Sequence, residues 1–258
     1  GTRDELAAMV HVQVAKELPF SKDQAAIDFA VVPGNGGTSC DLWVAAVRSH
    51  VIEYYEQTLE AAGLAAERIG LRSYASQAAV IEGGDVAGRT VLVDIGPSMT
   101  EISVIRDARL VYTRAAQVAV MAEPHHAEER RPSPDQTTPP ADDSLPKQGS
   151  LDALLIEVSR TIQAYRASDA GARIDRIILS GTGGADERVR ASFESRFGSP
   201  TKVFDAPPAV NWKRIADVSA APFVAAIGLT YNHLANETER FDFLHPKELE
   251  AERKERAK

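Results

Sequence analysis

Val91-Leu92-Val93-Asp94-Ile95-Gly96-Pro97-Ser98-Met99-Thr100-Glu101-Ile102-Ser103-Val104-Ile105 constrains this chain more than any other stretch. An apolar run reaches an Asp, turns on a Gly with small hydroxyls beside it, and leaves again with Ile102 and Val104 alternating, the pattern of a β-hairpin with a polar tip. Asp107-Ala108 then predicts a tight turn into Leu110-Val111-Tyr112, so the hairpin belongs to an antiparallel meander. The tip offers what metal-bound phosphate needs: a carboxylate for the ion at Asp94, and backbone or hydroxyl donors at Gly96, Ser98 and Thr100. An ordinary turn uses the same residue types for backbone reasons, and both readings stay open at this point.

At 258 residues, 44% apolar and 26% charged, the chain can bury one good-sized core or two small ones. It has no run of 18 apolar residues, so a membrane-spanning helix is not expected. It opens on Gly1, which fits a fragment or processed product. The net charge of −8 argues against nucleic acid, whose phosphates call for a clustered basic surface. The single Cys40 excludes an intrachain disulfide and fits a reducing compartment, with the cytoplasm as default.

In chain order, Leu6, Met9 and Val10 predict a helix over 4–16 that ends before Pro19, and Ile27–Val32 predicts a strand. Pro33-Gly34-Asn35-Gly36-Gly37 reads as a turn and Asp41–Val47 as the returning strand. Ser49 is placed as the N-cap of a helix over 50–62 closed by Gly63, followed by a strand near Ile69–Ser73 and a helix near Ala75–Glu82. Residues 122–150 carry six prolines, many charges and almost nothing apolar, the composition of a disordered linker; His125-His126 within them reads as solvated rather than metal-binding. Leu154, Leu155, Val158, Ile162 and Tyr165 stripe a helix to about 168. A strand over Ile174–Leu179 then enters Ser180-Gly181-Thr182-Gly183-Gly184 and a helix with Val189, Phe193 and Phe197, a geometry that brings ligands to backbone amides. As a lone signal it is weak, and a ligand-free turn has equal standing. Thr201–Phe204 follows as a strand, and Pro222–Leu234 as a helix whose Ala225-Ala226-Ile227-Gly228 permits close packing. Residues 235–258 read as a charged tail, solvated from Pro246 on.

Asp94-Ile95-Gly96 with Thr100 on a hairpin, then Leu179-Ser180-Gly181-Thr182-Gly183-Gly184 before a helix, then Ala225-Ala226-Ile227-Gly228-Leu229, resembles the actin/Hsp70/sugar-kinase superfamily. Within it the chain resembles the PilM family of type IV pilus assembly proteins, relatives of FtsA. Glu17-Leu18-Pro19-Phe20, Ile27-Asp28-Phe29, Leu59-Glu60-Ala61-Ala62-Gly63-Leu64 and Val91–Arg114 carry that resemblance as well. It implies an α/β fold with a partial actin-like (ribonuclease-H-like) core and a small inserted α/β subdomain. The expected segments are the subdomain over 1–68, core over 69–121 and 151–234, the linker 122–150 and the tail 235–258.

The resemblance also places Asp94, Gly96, Ser98 and Thr100 at a second phosphate loop, with Asp94 as the magnesium ligand, and Gly181, Gly183 and Gly184 at an adenosine loop. A first phosphate loop, usual at the start of such proteins, is expected to be missing, and the Pro-rich tract stands where a helical subdomain is usual. ATP with Mg2+ is therefore expected to bind weakly or not at all, and no catalytic residue is assigned. The implied function is a non-catalytic cytoplasmic component of a type IV pilus or type II secretion platform. It would lie peripheral to the inner membrane and bind the cytoplasmic tail of a PilN-like membrane protein. An ATPase or sugar kinase, and a filament-forming actin relative, are the alternatives. Phe20, Trp43, Tyr54 and Tyr55 are the expected partner contacts, because a hairpin and two helices are too thin to bury them all.

Overall fold

The computed structural model describes residues 3–32, 41–84, 88–120, 151–169, 172–212 and 218–247. Contacts divide the chain into two units, Gly1–Arg72 with Asn232–Lys258, and Ser73–Tyr231.

The second unit holds a five-stranded sheet. β3 (Arg89–Ile95), β4 (Thr100–Arg106) and β5 (Arg109–Ala116) form the expected antiparallel meander, while β6 (Arg176–Ser180) and β7 (Thr201–Val203) run parallel to β3, in the order β5-β4-β3-β6-β7. Asp107 and Ala108 turn β4 into β5 with φ of 49° and 61°, the paired left-handed conformation that suits a two-residue hairpin. Both faces of the central strands are apolar because both are covered. On one face Val91, Val93, Ile95, Ile177 and Leu179 pack with Leu154, Val158 and Ile162 of α4 (Leu151–Ser168) and Phe193 of α5 (Glu187–Phe197). On the other, Leu92 and Ile178 meet Ala79 and Val80 of α3 (Arg72–Glu82) and Val224 and Ile227 of α6 (Val224–Leu234). Burying an Ile, Leu or Phe fully contributes about 1.5–3 kcal/mol, so these two layers dominate the stability of this unit. A Cβ on Gly228 would collide with the Ala75 carbonyl oxygen, so the small residues of α6 do permit close approach.

In the first unit, α1 (Arg3–Val14) lies on the two-stranded antiparallel sheet of β1 (Ala25–Val32) and β2 (Asp41–Arg48). Ala7 and Val10 pack against Ile27 and Phe29, with Leu42, Val44 and Ala46 at the margin. α2 (Ser49–Ala61) follows; Arg48 occupies its cap position, Ser49 is its first helical residue, and no side chain caps it.

Two expectations need correcting. Ile69–Ser73 is not a strand: α3 begins at Arg72, and the Ile69 carbonyl accepts from Phe243 N–H instead of joining a ladder. Nor is the tail solvated at its start, since Lys247 is buried, and Phe241 and Phe243 before it are buried as well. The expectations for the turn 33–37, the linker 122–150 with its His pair, and the last residues 248–258 lie outside the described residues.

Candidate functional site

The two predicted phosphate-type turns adjoin, because β3 and β6 are parallel neighbours with Asp94 in register with Ser180. Both turns leave the carboxyl ends of their strands, the edge at which open α/β sheets hold ligands. Asp94, Gly96, Thr100, Gly181, Gly183 and Gly184 are thereby brought together, while Ser98 is exposed at the hairpin tip.

The donors expected to meet a nucleotide already have acceptors. Gly96 N–H donates to Met99 O at 3.0 Å within its own turn. Gly181 N–H donates to Ala221 O at 2.8 Å, Gly183 N–H to Ile95 O at 3.1 Å and Gly184 N–H to Gly181 O at 3.2 Å. Thr100, fully buried, donates its hydroxyl to Val118 O at 2.7 Å. The glycines serve close packing. Gly181 has φ of +79°, and a Cβ there would lie 2.7 Å from Asp94 Oδ1; one on Gly183 would lie 2.6 Å from Ile95 Cγ2 and 2.7 Å from Val120 O. Gly183 and Thr182 both address Ile95 O, so the loop is sewn onto the end of β3.

Two further residues border this site, Glu101 and Ser180, and the motif reading gave neither a role. Glu101 stands opposite Asp94 across the β3–β4 pair, placing two carboxylates on one face. Ser180 flanks Asp94 on β6, on the same face as Leu92 and Ile178, which α3 covers. Gln77 lies on α3 itself, and Ser180 Oγ, with Ser76 Oγ and Gln77 Oε1 of α3, is buried with no hydrogen-bond partner. An unmet buried polar group costs about 1–3 kcal/mol, so a water or ligand atom suits such a place. The signal for Ser180 was its position at the end of an apolar strand, just before the glycine loop. Among the described residues no group of three or more His, Cys, Asp or Glu side chains could hold a metal ion.

The expected partner contacts in the first unit separate. Tyr54 and Tyr55 of α2 are 65% and 52% exposed, with rings edge-on at 5.9 Å, beside a shallow groove lined by His50, Val51, Glu53 and Gln57. Glu53, Glu56 and Glu60 make the same helix acidic on its exposed surface. Phe20 and Trp43 are half-buried, and the Arg48 guanidinium covers the Phe20 ring at 4.3 Å.

Residues 2–119 match the sequence model of the family described as type IV pilus assembly protein PilM. Over 90% of this chain and 73% of the other, the structure also resembles that of a PilM–PilN type IV pilus biogenesis complex, with 14% identity and a TM-score of 0.65. Residues 2–119 are thus PilM-like in sequence, and the chain shares the α/β fold of that PilM–PilN structure. Solved structures with weaker similarity include MreB5 of Spiroplasma citri bound to ADP (15% identity, 72% and 65% of the two chains, TM-score 0.42) and the ethanolamine utilization protein EutJ of Carboxydothermus hydrogenoformans (13%, 88% and 72%, 0.38). The PilM match spans α1 to just past β5, and so takes in the Asp94 hairpin but not the glycine loop after β6. No helix among the described residues is long and apolar enough to cross a membrane.

Proposed function

We propose that this chain is a non-catalytic component of a type IV pilus assembly platform that acts by binding the cytoplasmic tail of a PilN-like membrane protein. The PilM match over residues 2–119 carries the reading, and the similar solved structure is that of a PilM–PilN complex. In this reading the chain works in the cytoplasm, peripheral to the inner membrane. Its partner touches Tyr54 and Tyr55, the exposed aromatic pair on an acidic helix, with Phe20 and Trp43 at the margin. Exposed aromatics anchor partners, and the neighbouring carboxylates favour a basic tail. The internal bonding of the Gly96, Gly181, Gly183 and Gly184 amides supports the non-catalytic part, because a phosphoryl-transfer site needs such donors aimed at its ligand. A pull-down of the folded chain against the tails of PilN-like proteins encoded beside its gene tests the proposal. Capture is the expected result, and failure of every tail to bind overturns it.

A second reading, a nucleotide-binding ATPase of the actin-like superfamily, is favoured by one observation: the partnerless Ser180 Oγ beside Asp94 on the same face of the sheet. In it Asp94 holds Mg2+ of a bound ATP, and the Gly181 loop must open its internal bonds to receive the nucleotide.

A further inference from the structure

β1 reads Ala25-Ala26-Ile27-Asp28-Phe29-Ala30-Val31-Val32, with a fully buried carboxylate in the middle of an apolar strand. A buried carboxylate persists only where donors replace the water it has lost. Those donors come from residues 242–247. Asp242 N–H donates to Asp28 Oδ2 at 2.7 Å and Lys247 N–H to Oδ1 at 3.0 Å, while Lys247 Nζ reaches the two oxygens at 3.0 and 3.1 Å. Nζ also donates to Arg240 O at 2.7 Å and lies 5.4 Å from the centre of the Phe29 ring, with the whole lysine 3% exposed.

The segment that delivers these groups is neither helix nor strand. Arg240 is extended, with φ −133° and ψ 156°. Phe241 and Phe243 are buried and stack at 5.9 Å with 11° between their planes, and Phe243 N–H donates to Ile69 O at 2.8 Å. Asp242 then accepts from Leu244 N–H and His245 N–H, a local turn that brings Lys247 back to Asp28. Main-chain bonds that fix direction, apolar anchors two residues apart and a cation seated on a waiting carboxylate are the means by which proteins hold extended peptide ligands. The Asp28 carboxylate serves this segment rather than its own hairpin: Asp242 and Lys247, which donate to it, lie 214 and 219 residues away.

We propose that residues 240–247 are a ligand supplied in cis to a peptide-docking groove built around Asp28. The groove takes an extended segment with two apolar side chains two residues apart and a lysine four residues after the second. The proposal deepens the partner reading above and rests on it for one point alone, that a partner tail of this chemistry is the natural competitor. A covalently attached ligand competes at an effective concentration on the order of millimolar, so free peptide at micromolar concentration stays out of the unaltered chain.

The test uses the full chain, unaltered and with Lys247→Met, and a fluorescein-labelled synthetic peptide of residues 240–247. The variant is expected to bind the peptide at least about tenfold more tightly than the unaltered chain does, because its own strap has lost its charged anchor. A peptide with methionine in place of its lysine is expected to bind neither chain. Equal binding by both chains, or no binding by a variant whose near-ultraviolet circular dichroism is native, overturns the proposal. If Lys247→Met does not fold, a full chain with a protease site in place of Glu237-Thr238-Glu239 decides the matter. After cutting, excess unlabelled peptide displaces the fragment from residue 240 onward, seen by native mass spectrometry. A fragment that stays bound, or a cut that unfolds the unit, makes the segment ordinary core and overturns the proposal. Failure of PilN-like tails to bind either chain, with the peptide arms succeeding, removes the partner reading and leaves the groove standing.

Discussion

Asp169 gathers three donors at the end of α4 beside the start of β3: the Tyr165 hydroxyl at 2.8 Å, Arg89 at 3.1 Å and Arg106 at 3.0 Å. The hydrogen bond from Tyr165, then that from Arg89, holds its carboxyl below the ordinary value of 3.8, against a smaller opposing effect of burial. Because the folded group releases its proton more easily than the unfolded one, its stabilisation is complete above the unfolded value and disappears as pH falls through the lowered folded value. Asp169→Asn is therefore expected to lower the urea midpoint at pH 7, with the gap to the unaltered chain closing below about pH 4. A gap constant from pH 7 to pH 3 would show that Asp169 acts by shape alone. Gly228 poses a contest of magnitudes. Helix propensity favours alanine over glycine by about 1 kcal/mol, whereas forcing a side chain into a tight contact costs about 1–3 kcal/mol. The contact is with the backbone carbonyl of Ala75, which cannot swing aside, so Gly228→Val is expected to destabilise by about 3 kcal/mol in urea titration. Residue types alone revealed the Asp94 hairpin and the close-packing role of Gly228. They did not reveal the occupied amides of the glycine loop, whose acceptors, Ile95 O and Ala221 O, are main-chain atoms with no residue signature.

Among the elements, β3 and β6 were legible because covering both sheet faces demands unbroken apolar runs, β4 because Ile102 and Val104 alternate, and α4 because its apolar stripe repeats with the helical period. The segment 241–247 was not legible. Phe241-Asp242-Phe243-Leu244 has neither period long enough to read, and its burial depends on Asp28, 214 residues from Asp242. The false strand at Ile69–Ser73 has a similar origin, since Ile69 and Leu71 alternating around Gly70 look like a strand only while a partner is assumed. The converse holds on α2, where Ile52 is the buried residue and Tyr54 and Tyr55 keep more than half their surface in solvent. Replacing both tyrosines by serine is accordingly expected to change stability by no more than about 0.5 kcal/mol. If they anchor the PilN-like tail, the same change weakens capture by at least about thirtyfold, the equivalent of a 2 kcal/mol hot spot. Unchanged affinity in a titration of the tail would move the contact away from this helix.

At the scale of the whole molecule, the question is whether an actin-like fold here still handles nucleotide. Fold alone does not answer it, because one architecture hosts many functions and the site decides. The site's chemistry pulls in two directions: the glycine and threonine donors are bonded internally, while Ser180 Oγ beside Asp94, like Ser76 Oγ on α3, is buried without a partner. Magnitudes favour the first. Opening four internal amide bonds to admit phosphate gives up about 0.5–1.5 kcal/mol each, and a chain of net charge −8 adds repulsion against a polyanion. Satisfying the hydroxyls of Ser180 and Ser76 takes only a water each, which needs no nucleotide. Isothermal calorimetry with ATP and magnesium is therefore expected to give a dissociation constant no tighter than about 1 mM, equivalent to about 4 kcal/mol of binding. Micromolar binding that is lost in Asp94→Ala while the protein stays folded would reverse that ordering. It would mean that the Gly181 loop exchanges its bonds to Ile95 and Ala221 for contacts with the nucleotide, and the chain would then be read first as a nucleotide-dependent switch.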